Sequence, residues 1–168
     1  MEESSIAIII SVIALIIAIV SMFNSKNKTV KEEPSPNRSF NPVPLQLQAY
    51  ERLVMLCERI AVPNLVSRIN QPHLTAREMQ IILIENIKQE FEYNASQQIY
   101  VSPVAWESVK HLKDQSLLLV NQISRNLPPD AKAMDLNRQL VEVVGQQEKP
   151  LHIMVMDTLN FEARKLMQ

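Results

Sequence analysis

An uncharged stretch near the N-terminus constrains the fold of this chain more than any other feature of its sequence. No Asp, Glu, Lys or Arg occurs from Ser4 to Ser25, and most residues between them are Ile, Val, Leu or Ala. As an α-helix, the stretch from Ile6 to Phe23 would cover about 27 Å, close to the roughly 30 Å thickness of a bilayer's hydrocarbon core. The stretch therefore predicts one transmembrane helix, with residues 1–23 as an N-terminal anchor.

The residues on either side of the stretch distinguish an anchor from a cleaved signal peptide. A signal peptide begins with basic residues and ends at a small-residue cleavage site. This chain begins with Met and two Glu residues, and no such site follows. Lys26, Lys28 and Lys31 come after the span, whereas no Lys or Arg precedes it. Because the basic flank of a span stays in the cytoplasm, we expect the N-terminus outside and the C-terminal domain in the cytoplasm.

The small residues of the predicted span recur at helical spacing. They follow one another at intervals of four, three, four and three residues: Ala7, Ser11, Ala14, Ala18 and Ser21. Small residues let helices approach closely in lipid, and a spacing near 3.5 residues keeps them on one face of a left-handed crossing. We expect this small-residue stripe to support association between spans. The alternative is a chance pattern, since Ala and Ser are common in membrane anchors.

Four prolines occur in the segment that follows the span. Residues 24–44 are mostly polar and include Pro34, Pro36, Pro42 and Pro44. Proline interrupts helices and central strands, so these residues are predicted to form a partly extended linker. The alternative is that the P-x-P element docks into an aromatic groove of a partner.

From residue 45 to residue 168, apolar residues recur at the spacing typical of helices, and caps and prolines divide the pattern into about five segments. We predict helices from Leu45 to Pro63, from Thr75 to about Gln98, from Ser102 to Pro128, from Asp130 to Gly145, and from Pro150 onward. Residues 64–73 are predicted to be irregular, with at most a short extended piece near residues 65–69. These interrupted segments indicate a compact all-α bundle, because a long coiled coil needs uninterrupted heptads.

Individual residues also predict where two helices begin and which side of the fourth helix faces the core. Thr75 and Glu78 have the spacing of a capping box, and Ser102 followed by Pro103 is a typical helix start. The predicted fourth helix should turn four apolar residues toward the core: Met134, Leu140, Val141 and Val144.

Glycine and charge exclude several classes of function. The chain has one glycine, Gly145, whereas the phosphate-binding loops of nucleotide enzymes need several. With a net charge of -1, the chain lacks the excess of basic residues that is typical of a nucleic-acid-binding domain. We therefore expect neither a nucleotide nor a nucleic acid as partner, and no cofactor. The single cysteine, Cys57, follows an apolar run and is predicted to be a small buried hydrophobe.

Most of the aromatic side chains fall between the second and third predicted helices: Phe91, Tyr93, Tyr100 and Trp106. We expect them to pack as part of the core at that corner. The alternative is an aromatic patch that binds a protein partner.

Catalytic motifs are missing, and one weak metal pattern remains. Glu107, His111 and Asp114 lie at i, i+4 and i+7 on one helix face, where they could hold a metal ion. Lys110 and Lys113 lie between them, so a solvated face with ion pairs is the simpler interpretation. The E-x-x-H and H-E-x-x-H motifs of helical metalloenzymes are absent, and no nucleophile motif occurs. We do not predict an enzyme.

Three short motifs carry a resemblance to a known family. They are LQAYERL at residues 47–53, FEYN at residues 91–94 with QQ at 97–98, and YVSP at residues 100–103 with Trp106. On these motifs, the stretch from Leu45 to about Gln122 resembles an uncharacterised family of small Bacteroidetes membrane proteins. The resemblance implies an N-terminal span, a helical domain and a bacterial inner-membrane location, and it assigns no catalytic residue.

Two functions are consistent with these observations. The first is a membrane-anchored interaction or scaffold protein, whose domain binds a protein partner and whose span supports self-association. The second is a helical metal-binding module or metalloenzyme tethered to the membrane through the same span, with His111 and its neighbours as ligands.

Overall fold

Six α-helices make up the described domain. The first begins at Val43, inside the predicted linker, because Pro44 fits the first turn of a helix. The computed structural model describes residues 41–168, with α1 at Val43–Ile60, α2 at Val62–Ile69, α3 at Ala76–Tyr93, α4 at Pro103–Asn126, α5 at Ala133–Gly145 and α6 at Leu151–Lys165. A 3-10 helix, Ala95–Ile99, connects α3 to α4. Within this range there is no strand, only an isolated bridge between Thr75 and Lys132. The all-α prediction is confirmed for this range. The predicted span, its small-residue stripe and linker residues 24–40 lie outside it.

Two of the helix starts predicted from cap residues, at Thr75 and at Ser102, are confirmed. The Thr75 hydroxyl accepts a hydrogen bond from the Glu78 N–H at 3.2 Å, and the Glu78 carboxylate accepts one from the Thr75 N–H at 2.9 Å. The bond from the Thr75 N–H and a second one from the Thr75 hydroxyl, at 2.8 Å, hold the pKa of the Glu78 carboxyl below its usual value. At the start of α4, the Ser102 hydroxyl accepts from the Ala105 N–H at 3.0 Å. Each cap satisfies a backbone N–H that the first turn of a helix leaves without a partner.

The segment predicted to be irregular contains a helix. Residues 62–69 form α2, so the extended piece expected near residues 65–69 is wrong. Pro63 ends α1 as expected, but it also lies in the first turn of α2, where its missing N–H removes no hydrogen bond. Leu65 and Val66 are buried on this short helix.

The second predicted helix is shorter than expected. The α-helical part ends at Tyr93, before the predicted end at Gln98. The Asn94 side chain donates a hydrogen bond to the Glu90 carbonyl at 2.9 Å. This bond satisfies a carbonyl that the end of a helix leaves free. After Asn94 the chain continues as the 3-10 helix.

The start and the buried face of α5 also differ from the prediction. Asp130 does not cap this helix: α5 begins after Lys132, whose N–H donates to the Asp135 carboxylate at 3.1 Å. Met134 is 60% exposed and Val141 is also exposed, so their predicted inward orientation is wrong. The buried face instead follows i, i+3, i+4, i+7 and i+11 from the true start: Ala133, Leu136, Asn137, Leu140 and Val144.

The helices pack around one continuous core. α1 packs against α4 and α6, α3 packs against α4, and α5 contacts α2, α3 and α4. The last two helices therefore belong to the same unit as the others, Asn41–Gln168. Gln80 in α3 donates to Asn121 in α4 at 2.7 Å, so the start of α3 lies beside the end of α4.

One end of the bundle is defined by a contact among three helices. The Tyr50 hydroxyl, near the start of α1, donates to the Glu162 carboxylate in α6 at 2.7 Å and accepts from the Ser102 N–H at 3.2 Å. The start of α1, the start of α4 and the last turns of α6 therefore lie together. We call this the proximal end, because the chain enters the described domain there.

Candidate functional site

A groove between α1 and α3 opens on the surface of the domain, with a volume of about 670 Å³. We call it the α1–α3 groove, and its lining residues come from the outer face of α1 and the last turns of α3: Gln48, Glu51, Arg52, Met55, Leu56, Arg59, Gln89, Glu90, Tyr93 and Asn94. Met55 and Tyr93 are its most exposed apolar side chains, at 56% and 73%. Neither side chain is held in the core, so both are available to a partner.

Charges of both signs line this groove. Arg59 forms an ion pair with Glu90 at 2.5 Å, and Arg68 approaches the same carboxylate at 3.6 Å. The hydrogen bond to Glu90 and the charge of that carboxylate raise the pKa of Arg59. Arg52 lies 5.9 Å from the centroid of the Tyr93 ring, in a cation–π contact. Within the described residues, neither Arg52 nor Glu51 has an ion-pair partner, so both charges remain for recognition.

The structure separates the four aromatic residues that the sequence grouped. Phe91 and Trp106 are half-buried and stack with their ring centroids 5.1 Å apart, as expected for core packing at this corner. Lys113 places its ammonium 4.6 Å from the centroid of Phe91. Tyr93 points into the α1–α3 groove, and Tyr100 is exposed at the end of the 3-10 helix. Of these four aromatic residues, Tyr93 alone lines the α1–α3 groove.

The Tyr50, Ser102 and Glu162 side chains form a polar network that the sequence did not predict. The Ser102 hydroxyl donates to the same carboxylate oxygen as the Tyr50 hydroxyl. Burial raises the pKa of Tyr50, and the hydrogen bond to Glu162 raises it further. Ser102 was predicted as a helix cap, but no local pattern connects residues so far apart in the chain. Because both hydroxyls are engaged by the protein, we assign this network a structural role.

The sequence-predicted metal ligands do not converge. Glu107 pairs with Lys110 at 2.8 Å, and Asp114 pairs with Lys113 at 2.9 Å. His111 is exposed on the same helix. Across residues 41–168, no group of three or more His, Cys, Asp or Glu side chains is arranged to hold a metal ion.

Cys57 is buried in the core, as predicted. Burial raises the pKa of its thiol to about 12. The thiolate is the reactive form of cysteine, so this side chain should not react while the domain is folded.

No helix in the described part of the chain combines the length and the apolar character needed to cross a membrane.

The chain was compared with curated proteins, solved structures and protein families. No significantly similar protein is found among curated proteins or among solved structures. A protein-family model matches residues 3–166, which include the predicted span, the linker and nearly all of the helical domain. The expectation of an uncharacterised family is thereby confirmed. The chain belongs to the family of unknown function DUF7935.

Proposed function

We propose that this chain is a single-pass membrane-anchored scaffold. In this proposal, residues 6–23 cross the cytoplasmic membrane of a bacterium with the N-terminus outside, and the helical domain binds a protein partner in the cytoplasm. The uncharged stretch from Ser4 to Ser25 and the lysines that follow it support the anchor and its direction. The resemblance to small Bacteroidetes membrane proteins supports the bacterial setting.

The α1–α3 groove is the observation that carries the binding part of the proposal. Tyr, Met and Arg are enriched where proteins bind one another, and Tyr and Arg are frequent hot spots. The groove presents Tyr93, Met55 and Arg52 side by side on two packed helices. Glu51 and Arg52 offer charges of opposite sign, which suits a partner segment that has both apolar and charged side chains.

Arginine substitutions test the anchor. We expect the full-length protein to stay with membranes during alkaline carbonate extraction, and a variant with Ile13→Arg and Ile16→Arg to be released. Each arginine at the centre of a span costs about 2.5–3.5 kcal/mol on insertion. The matched control adds the same charge outside the span, with Ser35→Arg and Ser39→Arg, and should remain in the membrane. Release of the unmodified protein would contradict the anchor.

Purification from cross-linked native membranes tests the groove. Wild type should co-purify a specific protein that the double variant Met55→Ala and Tyr93→Ala loses by about tenfold or more, which corresponds to at least about 1.4 kcal/mol. The control variant carries Ile81→Ala and Met154→Ala, two exposed apolar residues outside the groove. An unchanged set of co-purified proteins in the groove variant would contradict the assignment.

The same purification addresses self-association. We propose that the small-residue stripe brings two spans together. Substituting Ala14→Ile and Ala18→Ile adds bulk to the stripe without adding polarity, so it should reduce the cross-linked homodimer. A monomeric wild type in detergent, together with no effect of these substitutions, would rule out the stripe.

A further inference from the structure

Several exposed apolar side chains belong to the chain segments that meet at the proximal end of the bundle. Five of them define what we call the proximal patch: Ile99, Tyr100, Val104, Phe161 and Met167. Ile99 is 74% exposed and Val104 is 63% exposed. Single exposed apolar residues are ordinary, but several on one surface mark a place of interaction.

The polar network brings together the two chain segments that carry these residues. Ser102 lies between Tyr100 and Val104 in the chain, and Phe161 precedes Glu162. The hydrogen bond from the Ser102 hydroxyl to the Glu162 carboxylate therefore holds the α3–α4 connection beside the last turns of α6. The patch is a joint surface of two distant parts of the chain.

Few charged side chains lie in the segments that form the proximal end. Neither residues 41–50 nor residues 93–106 contain Asp, Glu, Lys or Arg. The Lys165 ammonium lies 4.2 Å from the centroid of Phe161, and Arg164 precedes it. Glu107 borders this surface and is paired with Lys110. The Glu162 carboxylate is occupied by Tyr50 and Ser102. The surface thus combines apolar and aromatic side chains with neighbouring cations.

The length of the segment between the proposed span and α1 favours the bilayer as the occupant of this surface. The described helix α1 begins at Val43, at the proximal end, and the proposed span ends at Phe23. Even fully extended, residues 24–42 reach less than about 70 Å, at no more than about 3.6 Å per residue. A bilayer surface is therefore always within reach of the proximal end, at a high effective concentration.

We propose that the proximal patch contacts the headgroup region of the bilayer that holds the anchor. Tyr100 and Phe161 enter the interface, where aromatic rings are favoured. Arg164 and Lys165 lie near anionic headgroups and cover apolar surface with their aliphatic stems. This inference rests on the proposed membrane anchor, and it adds a second contact with lipid through the domain itself.

A fluorescent probe on the full-length protein tests the contact. Because Cys57 is buried, a single introduced cysteine becomes the reactive thiol in the folded protein. We compare Val104→Cys with Asn126→Cys, both on exposed positions of α4 and about 33 Å apart at about 1.5 Å per residue. Each is labelled with an environment-sensitive probe in vesicles of phosphatidylcholine and phosphatidylglycerol that contain headgroup-quencher lipids.

Quenching at residue 104 should exceed quenching at residue 126 by about threefold or more, because the patch side of α4 lies in the interface. Adding Ile99→Gln and Phe161→Gln to the Val104→Cys protein should remove most of the difference. Tyr100→Cys provides a second probe site in case labelling at residue 104 disturbs the first turn of α4.

The results separate the inference from the function on which it rests. Equal quenching at residues 104 and 126, in protein that floats with the vesicles, overturns the lipid contact and leaves the anchor intact. If the probe is not quenched but its fluorescence changes with the protein-to-lipid ratio, a second copy of the chain covers the patch. This result also overturns the lipid contact. Failure of the protein to float with vesicles rejects the anchor and the lipid contact together.

Discussion

Replacement of Leu53 by alanine should lower the free energy of unfolding by about 2–5 kcal/mol. Leu53 lies on the inner face of α1 and is fully buried in the core. Alanine removes the apolar contacts of the larger side chain and leaves a cavity that its neighbours fill only in part. The largest loss within this range would equal the whole stability of a domain at the lower end of the usual 5–15 kcal/mol.

The only tryptophan reports this change directly. Trp106 stacks on Phe91, so its fluorescence should change when the domain unfolds in urea, whether or not the anchor stays in a detergent micelle. The matched control is Met55→Ala, on the same helix but 56% exposed, which should change stability by less than about 0.5 kcal/mol. Equal losses for the two variants would show that the described core is wrong.

Replacement of Glu162 by alanine should lower the free energy of unfolding by about 1–3 kcal/mol, although the residue is charged and only half-buried. Its carboxylate accepts hydrogen bonds from Tyr50 and Ser102, and a buried hydroxyl left without an acceptor costs about 1–3 kcal/mol. Glu162→Gln keeps an oxygen acceptor and should cost less. Glu142→Ala, which removes an exposed carboxylate from α5, is the control and should be nearly neutral. A loss for Glu162→Ala no larger than that of this control would contradict the network.

Substitution of Tyr50 by phenylalanine completes this test. If the two residues act through one hydrogen bond, the effects of Tyr50→Phe and Glu162→Ala should not add. Burial and Glu162 raise the pKa of Tyr50 in the folded protein above its usual value of 10.0. The resulting stability is therefore fully present below pH 10 and is lost as the pH rises through the folded-state pKa. Tyr50→Phe should remove this alkaline loss.

Short-range signals in the sequence predicted most of the helix starts. A cap needs only residues that are three positions apart, as in Thr75 with Glu78, so its geometry follows from the local sequence. Long-range packing decided the positions that differed. Pro63 was interpreted only as the end of a helix. In the structure a second helix follows, because burial of Leu65 and Val66 stabilises it. Met134 and Val141 were assigned to the core, but the packing of α5 on its neighbours buries a face that includes Ala133 and Leu136 instead.

The candidate site was harder to predict, for the same reason. Tyr93 was singled out with Phe91, yet residues two positions apart on a helix point to nearly opposite sides. The period of α3 could have separated them in advance. The groove itself depends on how α1 crosses α3, and the polar network joins residues from three helices. Neither arrangement leaves a pattern within any one segment.

The connections between the helices have a consequence for how relatives should be compared. None of the described residues has a positive φ, glycine included, so every described turn is built from backbone conformations open to all L-amino acids. Gly145 has open space where a Cβ would lie. Backbone geometry therefore exerts almost no selection on the loop residues of this domain. Where a loop position is nevertheless invariant across the family, its side chain must be retained for what it touches.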